Sequence, residues 1–294
     1  MTWPEATIAL DECELRGQLD AQFPEWHDLA LSRAQEGFDN VLWRLGEQFL
    51  VRLPRRFEAV RLLENEIKWL PGLATRLPLP ISAPIRVGMP TDAFPWPWVV
   101  TNWFEGTPGD LFGVVSSSAS ARGLGAFLRA LHLPAPAEAP NNHWRGVPLA
   151  RRTAHLEERL EYVGDLVDAT ELRRVWREAL EAPVFGARPV WIHGDLHPAN
   201  VIVRSGSLSA VVDFGDLCAG DPATDLAGAW MLLSPEVLAD FFDAYGDHDE
   251  GMIRRALGWA VLFGTMFVSL GTDERPSYLE VGRRTLENVG RYVN

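Results

Sequence analysis

Three polar residues in a fixed order constrain this chain more than any other feature. In the stretch from Val190 to Asp216, VWIHGDLHPANVIVRSGSLSAVVDFGD, Asp195 is followed five residues later by Asn200, and Asp213 lies thirteen residues further on. Each stands at the end of a short apolar run. Residues 190–192 read as a strand entering a polar turn, and residues 201–203 and 210–212 as two more strands joined through Ser205-Gly206-Ser207. Moving a phosphoryl group off a nucleotide needs such a set. One carboxylate must orient the attacking hydroxyl and take its proton, while an amide oxygen and a second carboxylate hold metal ions against the phosphates. Asp195 fits the first role. Asn200 and Asp213 fit the second, with Mg²⁺ as the metal.

The rest of the chain bounds the setting. Its 294 residues, 47% of them hydrophobic, suffice for one large or two modest domains with real cores. A net charge of −13 disfavours a nucleic-acid partner, whose phosphates need a basic surface, and would attract a cationic small molecule. Cys13 and Cys218 are too far apart in sequence to suggest a metal or disulfide framework, which points to a reducing cytoplasm. No signal-like segment opens the chain. The longest apolar run, residues 256–270, is interrupted by two glycines and a serine and suits a buried helix better than a membrane span.

In chain order, residues 5–23 carry apolar positions at helical spacing. Residues 29–34, 41–45 and 49–53 read as strands, with a turn at Gly46-Glu47 and a loop over 35–40. A helix over 57–70 ends at Pro71-Gly72, and residues 85–87 and 98–104 supply two more strands. Arg52 lies between Val51 and Leu53, so an inward-facing side chain there requires an anionic partner. Beyond the strands, helices are expected over 116–133, 149–163, 170–181, 223–233, 236–245, 251–270 and 276–292. Asp221, just before Pro222, reads as a helix N-cap. Asp240, Asp243, Asp247, Asp249 and Glu250 cluster as a candidate acidic wall for a cationic substrate.

The order His193-Gly194-Asp195, Asn200, then Asp213-Phe214-Gly215 resembles the kinase pattern H-x-D-x-x-x-x-N followed by D-F-G. In the form HGDLHPAN, DFGD and GDPATDLA, it is similar to the aminoglycoside phosphotransferase family of small-molecule kinases, and the resemblance covers nearly the whole chain. It implies an α+β, two-lobe protein-kinase-like fold: a β-rich N-lobe over 1–103, an α-rich C-lobe over 104–294, and an active site between them. It also implies transfer of the γ-phosphoryl of ATP or GTP to a hydroxyl of a small acceptor. That acceptor is an aminoglycoside or other antibiotic, or alternatively a sugar, choline-like amine or amino alcohol in metabolism. The protein is then a monomer or homodimer.

Residue by residue, the resemblance places Asp195 as base and Asn200 and Asp213 on metal. Asn40 and the backbone of the 35–40 loop lie near the phosphates, and Thr101, Asn102 and Trp103 lie at the purine. Arg52 stands where kinases keep a strand lysine that pairs with a helix glutamate. Lys68 is the sole lysine and falls on the helix. Glu66 is the expected partner of Arg52, with Glu58 and Glu64 as alternatives, and a nucleotide-binding module without catalysis is the reading this departure keeps open. Asp225 is expected to brace the catalytic loop through backbone N–H groups, and His193 and His197 to brace it by hydrogen bonds. By its place three residues past Asp213, Asp216 is read as a group that supports the metal residues or meets the acceptor, or else as a merely exposed acid. His193, Asp195, His197 and Asp213 also admit a second reading, a metal-dependent hydrolase.

Overall fold

The computed structural model describes residues 7–8, 10–34, 37–271 and 276–293. The chain forms two compact units, one of Met1–Arg76 with Ile81–Glu105, the other of Leu77–Pro80 with Gly106–Asn294. The first unit ends at Glu105, against the expected division after Trp103. Two contacts hold this tail in the first unit: the Trp103 N–H donates to Gln48 O (2.7 Å), and Glu105 pairs with Arg44 (3.2 Å).

The first unit is a five-stranded antiparallel sheet flanked by two helices. Its strands are β1 (Leu31–Arg33), β2 (Asn40–Leu45), β3 (Phe49–Pro54), β4 (Pro84–Gly88) and β5 (Trp98–Asn102), in the order β1-β2-β3-β5-β4. Helix α1 (Glu12–Gln22) lays Leu15 and Leu19 into a core with Val41, Trp43, Val51, Leu53 and Trp98. The expected start at residue 5 is corrected to Glu12. Asp11 and Glu14 form a capping box, each side chain accepting the other's backbone N–H at 2.8 and 2.9 Å. Before it, the Thr7 N–H is bonded to Arg55 O, outside any helix. Residues 1–6 and 9, and Gln35 and Glu36 of the predicted phosphate loop, lie outside the described residues.

Helix α2 (Phe57–Ala74) also departs from its expected length, passing through Pro71 instead of stopping there. Proline forfeits one ladder hydrogen bond. The added turn brings Leu73 into the buried stripe of Val60, Leu63, Glu66 and Leu70, and that burial offsets the loss.

The second unit is mostly helical. Strand β6 (Thr107–Pro108) leads into α3 (Gly109–Phe112), then α4 (Ser118–Leu131), α5 (Thr153–Val163) and α6 (Ala169–Glu181). Strand β7 (Val190–Ile192) precedes the hairpin of β8 (Val201–Arg204) and β9 (Ser207–Val211), and β10 (Cys218–Gly220) returns to pair with β7. The remaining helices are α7 (Ala223–Leu226), α8 (Gly228–Leu232), α9 (Leu238–Tyr245), α10 (Glu250–Gly271) and α11 (Pro276–Val293). The single helix expected over 223–233 is thus two. The chain breaks at Ala227, where Gly228 must pass close to Leu196: a Cβ there would lie 3.0 Å from the Leu196 carbonyl oxygen. Helix α10 is long and apolar enough to cross a membrane, but most of it is buried against α11, α6, α5 and α7, so it is the core helix of its unit.

Candidate active site

Strand β7 ends at Ile192, and the next residues form a tight loop fixed from below. Asp225, fully buried on α7, accepts the His193 N–H at 2.7 Å with Oδ2 and the Gly194 N–H at 2.9 Å with Oδ1. Gly194 has φ +83°, and a Cβ there would lie 2.5 Å from the Asp216 carbonyl oxygen, so the loop accepts only glycine. His132, ending α4, reaches the same Asp225 carboxylate through Nε2 (3.2 Å), and its Nδ1 lies 3.0 Å from the Tyr245 hydroxyl.

The predicted trio is brought together by this loop and the hairpin. The Asn200 amide donates to the Asp195 backbone oxygen (2.9 Å), and the Val212 N–H donates to Asn200 O (2.9 Å). Asp213 therefore follows directly on the residue bonded to Asn200. It is exposed and has φ +60°, a left-handed conformation that costs a non-glycine residue roughly 1–3 kcal/mol and tends to mark functional positions.

Both ring nitrogens of His193 are engaged: Nδ1 accepts the Asp195 N–H (3.2 Å) and Nε2 donates to Val212 O (3.0 Å). That leaves no lone pair for a metal and corrects the hydrolase reading. Among the described residues no three His, Cys, Asp or Glu side chains group as a metal site. His197 Nε2 lies 3.1 Å from Asp195 Oδ2, with its ring edge-on to Phe267.

The other oxygen of Asp195 takes a partner the sequence did not suggest. Arg145 Nη2 lies 2.7 Å from Asp195 Oδ1, and its Nε stands 3.5 Å from Asp216 Oδ2. Asn142 donates to Asp216 Oδ1 at 2.6 Å. Burial opposes charge on Asp195, but the Arg145 guanidinium, followed by His197, outweighs it and holds the carboxyl well below the usual range. Asp216 is pushed the other way, first by burial and then by the charge of Asp195. Residues 142–145 lie in an irregular segment between α4 and α5 with no periodicity, so no local pattern marked them.

Helix α7 starts at Ala223 with Pro222 at its N-cap, so Asp221 stands one residue before the cap position expected of it, though its side chain accepts the Ala223 N–H (3.0 Å). It also makes an ion pair with Arg255 of α10 at 2.7 Å, which sequence reasoning missed. Three of the five acidic residues expected to form a wall have partners: Asp240 pairs with Arg122 of α4 (2.5 Å), Glu250 with Arg254, and Asp249 accepts the Met252 N–H (2.6 Å).

In the first unit, strand alternation sends Val51 and Leu53 to the core under α1 and Arg52 to the opposite face. There Arg52 meets Glu66 in a two-pronged pair, Nη1 to Oε2 at 2.6 Å and Nη2 to Oε1 at 2.9 Å, with side chains only 6% and 1% exposed. Glu58 sits instead 4.0 Å from Arg56, on the first turn of α2. Asn40 opens β2, its Oδ1 buried without a hydrogen-bond partner. The turn before it is tied by Arg55, which donates to Gly37 O (3.1 Å), and by Arg56, which pairs with Asp39 (2.6 Å). At the end of β5 the Thr101 side chain is fully buried and Asn102 is exposed. The Trp103 N–H is spent on Gln48, and the Trp103 ring lies 3.9 Å beneath the Arg44 guanidinium.

The profile of the phosphotransferase enzyme family matches residues 30–259. The chain belongs to that family. This phosphotransferase matches no curated protein sequence. Among solved structures it is similar to the GDP complex of an aminoglycoside 2'-phosphotransferase-IIIa (20% identity, TM-score 0.71, covering 96% of this chain and 100% of that one). It is also similar to the GDP and kanamycin complex of APH(2")-IIia (22%, 0.69, 96% and 99%). A third likeness is to the macrolide 2'-phosphotransferase MphH from Brachybacterium faecium (21%, 0.58, 91% and 98%). At these identities the likeness is one of fold: a two-lobe, kinase-like α+β architecture.

Proposed function

We propose that this phosphotransferase moves the γ-phosphoryl of ATP or GTP to a hydroxyl of a small-molecule acceptor of the antibiotic class, with Asp195 orienting that hydroxyl and receiving its proton. The observation that carries the reading is the linkage of Asp195, Asn200 and Asp213 through the loop and hairpin hydrogen bonds. Asp195 is kept anionic, as an orienting group must be. Arg52 is assigned to the nucleotide phosphates with Glu66 holding its fork, and the intact pair favours an active enzyme over a binding module. The antibiotic class rests on the fold neighbours, which include enzymes acting on aminoglycosides and macrolides.

Asn200 and Asp213 fit a magnesium site. Their free donors are oxygens, as a hard cation requires, and the Asn200 amide nitrogen is already committed to Asp195, which turns Oδ1 outward from that bond. When bound, Mg²⁺ supplies neutralisation of phosphate charge.

The test is nucleotide consumption by the purified protein with ATP and with GTP, against aminoglycosides, macrolides, sugars and amino alcohols. Consumption above the acceptor-free rate with an antibiotic supports the reading, and consumption with a sugar or amino alcohol alone would move the acceptor to metabolism. Asp195→Ala should lower turnover more than roughly 100-fold while leaving nucleotide binding close to that of the parent. Retained turnover in that variant removes Asp195 from the role.

A further inference from the structure

The Arg145 guanidinium touches the candidate base directly. Nη2 bonds Asp195 Oδ1 at 2.7 Å, Nε faces Asp216 Oδ2 at 3.5 Å, and the side chain lies on the face of Phe263, 5.1 Å from its ring centre. With Oδ2 of Asp195 against His197, both carboxylate oxygens have a defined partner and the rotamer is set from two sides.

The segment that delivers Arg145 is itself anchored. Asn142 Oδ1 accepts the N–H groups of Trp144 (2.8 Å) and Arg145 (3.2 Å), while its amide nitrogen bonds Asp216. The Gly146 N–H donates to Thr224 Oγ1 (3.2 Å), and Gly146 O accepts from the Asp221 N–H (3.1 Å). Gly146 has φ +65°, and a Cβ there would come within 2.7 Å of the Gly220 Cα, so side-chain-free backbone packs on side-chain-free backbone. These bonds reach Asp221, just after β10, and Thr224 of α7, the helix that also carries Asp225 beneath the Asp195 loop.

We infer that Arg145 is a positioning residue for phosphoryl transfer, a fixed guanidinium that holds the Asp195 carboxylate in its hydroxyl-orienting rotamer and sets its spacing to Asp216. This rests on the transfer role proposed for Asp195. A flat fork can address two carboxylates from one side chain, whereas a lysine ammonium is a single point charge. Positional errors of about 1 Å at a reacting group can cost roughly 100-fold in rate. The effect therefore belongs in turnover and not in nucleotide affinity.

The experiment measures steady-state transfer by the full chain, Arg145→Ala and Arg145→Lys, with the acceptor that the parent consumes, alongside thermal unfolding of each. Arg145→Ala is expected to lose roughly 100-fold in kcat with the nucleotide KM held within about threefold. Millimolar methylguanidinium should restore about tenfold of that loss, and Arg145→Lys should fall between parent and alanine variant. Parent-like turnover in Arg145→Ala overturns the inference and leaves the phosphotransfer reading standing. So does a loss that methylguanidinium does not relieve and that lysine shares in full, since that is the behaviour of a purely structural ion pair. A parent that transfers to no acceptor in the panel defeats the reading of the site, and this role with it.

Discussion

Arg52 and Glu66 form a deeply buried ion pair in the first unit, and their energetics set a clear expectation. Removing one member of a buried pair strands the other, at about 3–5 kcal/mol. Arg52→Ala is therefore expected to destabilise the fold by that order and to weaken nucleotide binding, measured by denaturant unfolding and by titration. Arg52→Lys should retain a substantial part of the activity, since it keeps the charge on the strand. Parent-like binding and unfolding in Arg52→Ala would remove Arg52 from both roles. Asp216 offers a test with the opposite sign. Its carboxyl is raised by burial and by Asp195, so the folded state holds that proton more tightly than the unfolded chain does. The stability tied to this proton is complete below the usual carboxylate range and is lost as pH rises through the raised value. Asp216→Asn should accordingly be more stable than the parent at pH 7, and the gain should shrink as pH falls through the carboxylate range. A constant difference across pH would contradict that assignment.

Among the elements, the short helix α7 governs the loop after β7. Its Asp225 receives two backbone N–H groups and His132, all buried. Asp225→Ala leaves two buried donors unpaired, at about 1–3 kcal/mol each. The expected outcome is a destabilisation of about 2–6 kcal/mol with loss of turnover, checked by unfolding curves and transfer assays. Asp225→Asn should be milder, because the amide keeps one acceptor oxygen. An alanine variant that unfolds like the parent would mean that the loop finds its hydrogen bonds elsewhere.

For the molecule as a whole, helix α10 carries the largest burden of apolar burial. Trp259, Phe263 and Phe267 on it are each no more than 2% exposed, and Arg255 and Phe263 tie it to the polar groups of the site. A core helix and a membrane span make opposite demands on such residues. Trp259→Ala should destabilise the protein by about 3–5 kcal/mol, and the parent should stay in the supernatant of an ultracentrifuged lysate without detergent. Sedimentation of the parent with membranes would overturn the assignment of α10 as a core helix. Part of the net charge of −13 is paired: Asp195 and Asp216 share Arg145, Asp221 has Arg255, and Asp249 and Glu250 at the start of α10 serve as cap and ion-pair groups.

Local chemistry was enough to group Asp195, Asn200 and Asp213, because their spacing on a loop and a hairpin is set by the chain itself. The same holds for the alternation that isolates Arg52 from Val51 and Leu53, whereas the two-lobe architecture came from the family resemblance that the motifs carry. The Asp11–Glu14 capping box that starts α1 is also local, but it was missed because the apolar spacing over 5–23 was followed instead. The choice of Glu66 over Glu58 and Glu64 was not local. It depended on which face of α2 lies on the sheet, and only packing selects that face. Packing also carried α2 through Pro71, where burial of Leu73 outweighed a local stop signal, and it split the 223–233 helix, where Leu196 from another segment had to pass Gly228. Arg145 and Asn142 were invisible for the same reason: their meaning comes from Asp195 and Asp216, fifty or more residues away in sequence, and contacts of that range leave no trace in spacing or periodicity.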